Sequence, residues 1–215
     1  FAALCHASWS AIVKKSKNSL AIMAFTSIIE IIVFLPLIFF VPFPTVDIWY
    51  FLIATTILHG FYRYSVIASY NYADLSFVYP IARGGSCFFI GVISLFLFSN
   101  NISFFGIIGI LVTCLGLFMI SFMSATKFNQ KGFLLAILTA VLIATYTIID
   151  GIGVRSTENA FTYIFWMLLL NGIPMLIYAL ISKNGFRKKN TYSLIEGAGA
   201  GVLAILGYGL VVWSM

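Results

Sequence analysis

Glu30 is the eleventh of 21 residues in an otherwise apolar stretch, 20–40. In a bilayer that places a carboxylate near the centre, where an ionised group costs about 2.5–3.5 kcal/mol unless it is paired, protonated or facing water. Two readings follow: a proton-titrating or substrate-binding acid, or an acid that locks its helix to a neighbour. Arg83 raises the same question eight residues after Leu75, about 12 Å along a helix and too deep for easy snorkelling. Tyr79, four residues earlier, shares its face, Pro80 loosens the helix between them, and Gly84-Gly85 admits another backbone. The planar guanidinium suits a carboxylate- or phosphate-bearing ligand; the alternative is a structural pairing with Glu30 or Asp74.

His59 and Arg63 lie one helical turn apart, with Tyr62 and Tyr70 near the same stripe, so a polar face turns inward. Arg63 either joins a substrate site or snorkels to the inner surface. His59 is a proton relay or a hydrogen-bonded core histidine. Trp9 and Tyr146 occupy corresponding places in two similar stretches and offer aromatic walls for a metabolite pocket, with packing or a membrane-belt role as the alternative. Tyr208 echoes Tyr62 and joins the same candidate lining. No set of His, Cys, Asp or Glu has metal-ligand spacing. Cys5, Cys87 and Cys114 are far apart within apolar runs and read as small core residues.

The elements that must hold these residues are membrane helices. Of 215 residues, 62% are hydrophobic, 17% aromatic and only 8% charged, with a mean hydropathy of +1.08. So few charges cannot coat a soluble core, which excludes a soluble fold. Apolar runs cover 1–13, 20–40, 48–70, 75–98, 104–123, 133–152, 160–181 and 194–215. Every run but the first reaches the roughly 20 residues that cross about 30 Å of hydrocarbon. The net charge of +6 comes mostly from short linkers, a topology signal rather than a nucleic-acid groove. Linkers after the first, third, fifth and seventh runs carry nine Lys and Arg against one after the second, fourth and sixth. The positive-inside rule then puts the former in the cytoplasm and the amino-terminal end of the first run outside.

Residues 1–13 are short for a span, and positive charge follows rather than precedes them, unlike a signal peptide. The expectation is a first helix cut short and a chain that stops within its eighth. Ala7-Ser8-Trp9-Ser10 returns as Ala144-Thr145-Tyr146-Thr147, Ala24-Phe25-Thr26 as Ala160-Phe161-Thr162, and Pro36 as Pro174, at nearly constant offset. A five-helix unit ends on the opposite side from where it began, so its second copy is inverted, a mark of secondary transporters. The expected organisation is an all-α integral membrane protein with a first repeat at 1–123 and a second at 132–215. The second copy holds three helices of five, which implies about ten in the whole.

Four stretches then resemble the drug/metabolite transporter superfamily and its EamA-type ten-helix members: 3–14, 73–84 with Ala73-Asp74-Leu75-Ser76-Phe77-Val78-Tyr79-Pro80-Ile81-Ala82-Arg83-Gly84, 146–153 and 208–215. The resemblance implies transport of a small organic metabolite by alternating access, without ATP or a bound cofactor. The chain departs from it twice. The Gly-Glu pair many members carry after their fourth helix is replaced by Ser99-Asn100-Asn101-Ile102-Ser103, and the charge pattern puts the amino terminus outside.

The expected function is therefore a secondary transporter in the cytoplasmic membrane, with proton coupling among its modes. Its partners are a small metabolite and the lipid bilayer, with no nucleic acid, and the substrate-binding candidates are Trp9, Glu30, Arg63, Tyr79, Arg83, Tyr146 and Tyr208. An enzyme is not expected: an intramembrane enzyme would need a paired nucleophile and base or a metal cluster. A membrane scaffold or partner subunit is the other alternative. Gly197 and Gly201, and the stripe Gly109, Thr113 and Gly116, are suited to close helix packing and also admit a homodimer.

Overall fold

The computed structural model describes residues 1–16, 18–97, 103–124, 128–182 and 191–215. Lys17, Lys127, Lys183 and the basic residues at 187–189 lie outside that set, as do 99–102 of the linker that replaces the Gly-Glu pair. Every regular element among the described residues is helical: α1 (Ala2–Lys15), α2 (Ser19–Phe34) with a 3-10 turn (Leu35–Leu37), α3 (Val46–Tyr72), α4 (Leu75–Leu97), α5 (Phe104–Ser124), α6 (Gln130–Arg155), α7 (Ala160–Asn171), α8 (Ile173–Ile181) and α9 (Thr191–Trp213).

Seven stretches are long and apolar enough to cross a membrane: Ser19–Leu37, Val46–Tyr72, Leu75–Ser94, Phe104–Met123, Gln130–Arg155, Ala160–Ile181 and Leu194–Trp213. This is the architecture of a multi-pass membrane protein. Short linkers start the helices by capping. Asn18 Oδ1 accepts from Ala21 N–H at 3.1 Å, Ser103 Oγ from Gly106 N–H at 3.1 Å, Asn129 Oδ1 from Gly132 N–H at 3.1 Å and Asn159 Oδ1 from Phe161 N–H at 2.9 Å. Each side chain satisfies a donor that a helix start would leave open.

Proline ends the second run early. The apolar pattern runs to Phe40, but α2 stops at Phe34 and Pro36 begins a single 3-10 turn, because proline lacks the N–H of a regular helix. Pro174 marks the α7/α8 junction at Gly172. Pro80, by contrast, is carried inside the unbroken α4.

The chain forms two compact units, Phe1–Arg63 with Ile149–Met215, and Tyr64–Ile148. These are groupings by contact; the repeats at 1–123 and 132–215 concern chain symmetry. In the first unit α9 packs on α1 and α2. A Cβ on Gly197 would stand 2.3 Å from Phe25 Cβ, and one on Gly201 2.8 Å from Ile29 Cβ, so these glycines let the helices approach.

In the second unit α4 packs on α5, with Gly84 against Leu117 and Cys114 Sγ donating to the Gly84 carbonyl at 3.3 Å. Ser65 on α3 meets Thr139 on α6 at 2.8 Å. The packing expected of the Gly109–Gly116 stripe does not occur within the described residues. A Cβ at either glycine would meet nothing within 4 Å, and most of the large side chains of α5 are exposed. Gly84 on α4, rather than the α5 glycines, supplies the close approach.

Candidate functional site: a buried charge cluster in the first unit

Four acidic or basic side chains described in the first unit are nearly removed from the surface: Glu30 at 1% exposed, His59 and Arg63 at 5%, and Asp150 at 0%. α3 provides both bases from successive turns, which is why the spacing of His59 and Arg63 matters. α2 provides one acid and the end of α6 the other.

Arg63 donates through Nη2 to Glu30 Oε1 at 2.5 Å and through Nη1 to Ser27 Oγ at 3.0 Å. Ser27 passes its own hydroxyl hydrogen back to the Met23 carbonyl at 3.0 Å. One turn of α2 thus offers the guanidinium both a carboxylate and a hydroxyl. This arrangement overturns two expectations. Arg63 does not snorkel, because an acid lies within its reach inside the protein, and the ion-pair partner of Glu30 is Arg63 rather than Arg83. The other carboxylate oxygen, Glu30 Oε2, is buried with no hydrogen-bond partner among the described residues. It faces the α7/α8 junction, 3.1 Å from where a Cβ on Gly172 would lie. Asn171 Oδ1, the adjoining residue's acceptor, is likewise buried without a partner among the described residues.

Asp150 is the centre of the other half. Tyr163 on α7 donates to Oδ1 at 2.7 Å and Tyr208 on α9 donates to Oδ2, while His59 Nε2 stands 3.7 Å from Oδ2. Gly153, three residues on from Asp150, makes this possible. A Cβ there would come within 2.7 Å of the Tyr163 hydroxyl oxygen and 2.5 Å of its ring.

Aromatic rings continue the cluster. Trp9 on α1 stacks on Tyr62 with centroids 6.3 Å apart, and His59 meets Tyr62 and Tyr208 edge-on at 6.0 and 4.9 Å. Trp9 Nε1 is buried without a hydrogen-bond partner among the described residues.

Of the seven candidate residues, Trp9, Glu30, Arg63 and Tyr208 belong to the first unit and Tyr79, Arg83 and Tyr146 to the second. Tyr146 is buried there at 2% exposed. Tyr79 and half-buried Arg83 keep the shared face inferred from their spacing, the guanidinium lying 5.7 Å from the ring centroid.

Asp150 and Tyr163 belong to this buried cluster and were not among the candidates read from the sequence. Asp150 stands third from the end of the apolar run 133–152. α6 continues to Arg155 and buries it. The available signal was the one that identified Glu30, an acid inside an apolar run. Neither a protein-family model, nor a curated protein, nor a solved structure matches this chain.

Proposed function

We propose that the protein is a secondary transporter, of the EamA type its sequence resembles, that moves a small organic metabolite across the cytoplasmic membrane by alternating access. The observation that carries this reading is a buried, charge-bearing cluster built from membrane-spanning helices beside an interrupted helix. Ionisable side chains within spans are expensive and mark ligand or ion pathways, and transporter sites gather at helix interruptions.

Unused hydrogen-bonding capacity supports it further. Glu30 Oε2 and Asn171 Oδ1 are acceptors, and Trp9 Nε1 is a donor, all buried without a partner among the described residues. Leaving such groups unpaired costs about 1–3 kcal/mol each, and a metabolite bearing hydroxyl or amine hydrogens would satisfy the acceptors. In this reading Arg63 holds and orients Glu30, Glu30 receives the ligand, and Trp9 and Tyr208 wall the site. Tyr79, Arg83 and Tyr146 lie in the second unit.

The test compares metabolite pools inside and outside cells of a deletion strain and an overproducer. One compound or a small related set should move in opposite directions in the two strains. Identical pools in both strains, with the protein present in the membrane, would refute transport.

A further inference from the structure

We infer that His59 and Asp150 together form a binding site for a single proton, separate from the Glu30–Arg63 pair. Each element packed on the acid brings a group that bears on this. α3 supplies His59, 3.7 Å from Oδ2, α7 supplies Tyr163 on Oδ1, and α9 supplies Tyr208 on Oδ2. The charged groups acting on His59 besides Asp150 are Arg63 and Glu30. Tyr62 meets the His59 ring edge-on, and His6 on α1 meets the Tyr208 ring at 6.3 Å. On α6 itself the nearest ionisable side chains are Tyr146, one turn earlier, and Arg155, whose Nε donates to the Met215 carbonyl at 2.9 Å.

The charge balance of the cluster points to one proton. With His59 neutral, the buried side chains described in this unit carry one guanidinium charge against two carboxylates, an excess of one negative charge in a setting where unbalanced charge is disfavoured. One proton on the His59–Asp150 pair brings the sum to zero. Glu30 is the wrong host, because Arg63 stays charged at any physiological pH and neutralising Glu30 would strand that cation. The proton belongs to the pair rather than to either member, as in any strongly interacting acid and base.

A metal cation fits less well. It would need several oxygen ligands around it. Among the described residues no group of three His, Cys, Asp or Glu is placed to hold a metal. Where the chain transports a metabolite this proton is the coupling ion; that clause rests on the reading above, while the proton site rests on geometry and charge.

The experiment uses the purified chain in lipid nanodiscs and needs no substrate, so it can fail or succeed independently of the transport test. The sequence has two histidines, and His6→Gln leaves the 15N signals of His59 alone. In that background, His59 signals and the carboxyl stretch in infrared difference spectra are followed from about pH 5 to 8, where histidine and perturbed partners titrate. The expected result is one protonation step, seen on the imidazole or as a protonated carboxyl, and lost in Asp150→Asn. If that variant does not fold, Tyr208→Phe keeps the acid, removes one donor from Oδ2 and should shift the midpoint. No step on either group across the range, an identical step in folded Asp150→Asn, or an unmoved midpoint in folded Tyr208→Phe would overturn the proposal.

Discussion

The two units bury polarity in different ways. In the second, the buried polar residues described are Ser65, Ser69, Ser86, Ser121 and Thr139, all hydroxyls. Several of its serines and threonines return their hydrogen to a carbonyl of the same helix, among them Thr113 to Gly109, Ser121 to Leu117, Thr139 to Leu135 and Thr145 to Val141, at 2.7–2.9 Å. The first unit buries five hydroxyl residues as well, and adds Asn171 and the ionisable Glu30, His59, Arg63 and Asp150, whose described partners reach them across helices. A hydroxyl is satisfied wherever a helix carries it. A buried charge is tolerable only where the fold delivers a partner. Among the described residues the second kind is concentrated in one unit.

The largest break of this contrast is Arg63→Met, which leaves Glu30 buried and uncompensated and should lower stability by about 3–5 kcal/mol. Unfolding in mixed micelles should show that loss, and Glu30→Gln in the same chain should restore most of it. An Arg63→Met protein as stable as the parent would mean that the first unit is not organised around charge. Next, Tyr163→Phe removes a hydrogen bond to a carboxylate, worth about 1.5–3 kcal/mol, with the same readout.

Glycine substitutions sharpen the comparison at a similar or smaller scale. Gly153→Ala forces a methyl into the Tyr163 ring and Gly197→Ala into Phe25, each an overpacking of about 1–3 kcal/mol. Gly109→Ala in the second unit meets nothing and should stay within about 0.5 kcal/mol. A large loss at Gly109, together with a change in the apparent mass of the detergent-solubilised particle, would instead identify the α5 stripe as a contact between copies. The smallest effect is expected for Ser65→Ala, about 0.6 kcal/mol, the average for a hydrogen bond between membrane helices. A cost equal to that of Tyr163→Phe would erase the difference between the units.

What was legible in the sequence follows the same division. The helices and their approximate ends were readable because hydrophobic run length is a local property, and the break that Pro36 makes in the second run is readable for the same reason. The shared face of Tyr79 and Arg83 was readable because it is one helical turn. The partner of Glu30 was not, because Arg63 comes from another helix and the depth of a residue in its run does not say which neighbour it meets. Asp150 was not weighed, although it too stands inside an apolar run, and its partners come from α3, α7 and α9, which the sequence alone does not bring together. The glycine pattern was ambiguous in kind. Both small-residue stripes suit close packing, yet Gly197 and Gly201 pack on α2 whereas a Cβ on Gly109 or Gly116 would meet nothing within 4 Å.

The central claim, that the first unit's charge cluster is the working site rather than a structural device, is tested most directly by flux through the Glu30→Gln/Arg63→Met double variant. The double change removes both charges together, so the variant should fold and reach the membrane. Flux of the metabolite identified by the pool comparison, measured in cells matched for protein level, should fall to that of the deletion strain. A folded double variant that carries the metabolite at the parent rate would contradict the account and leave Glu30 and Arg63 as a structural pair.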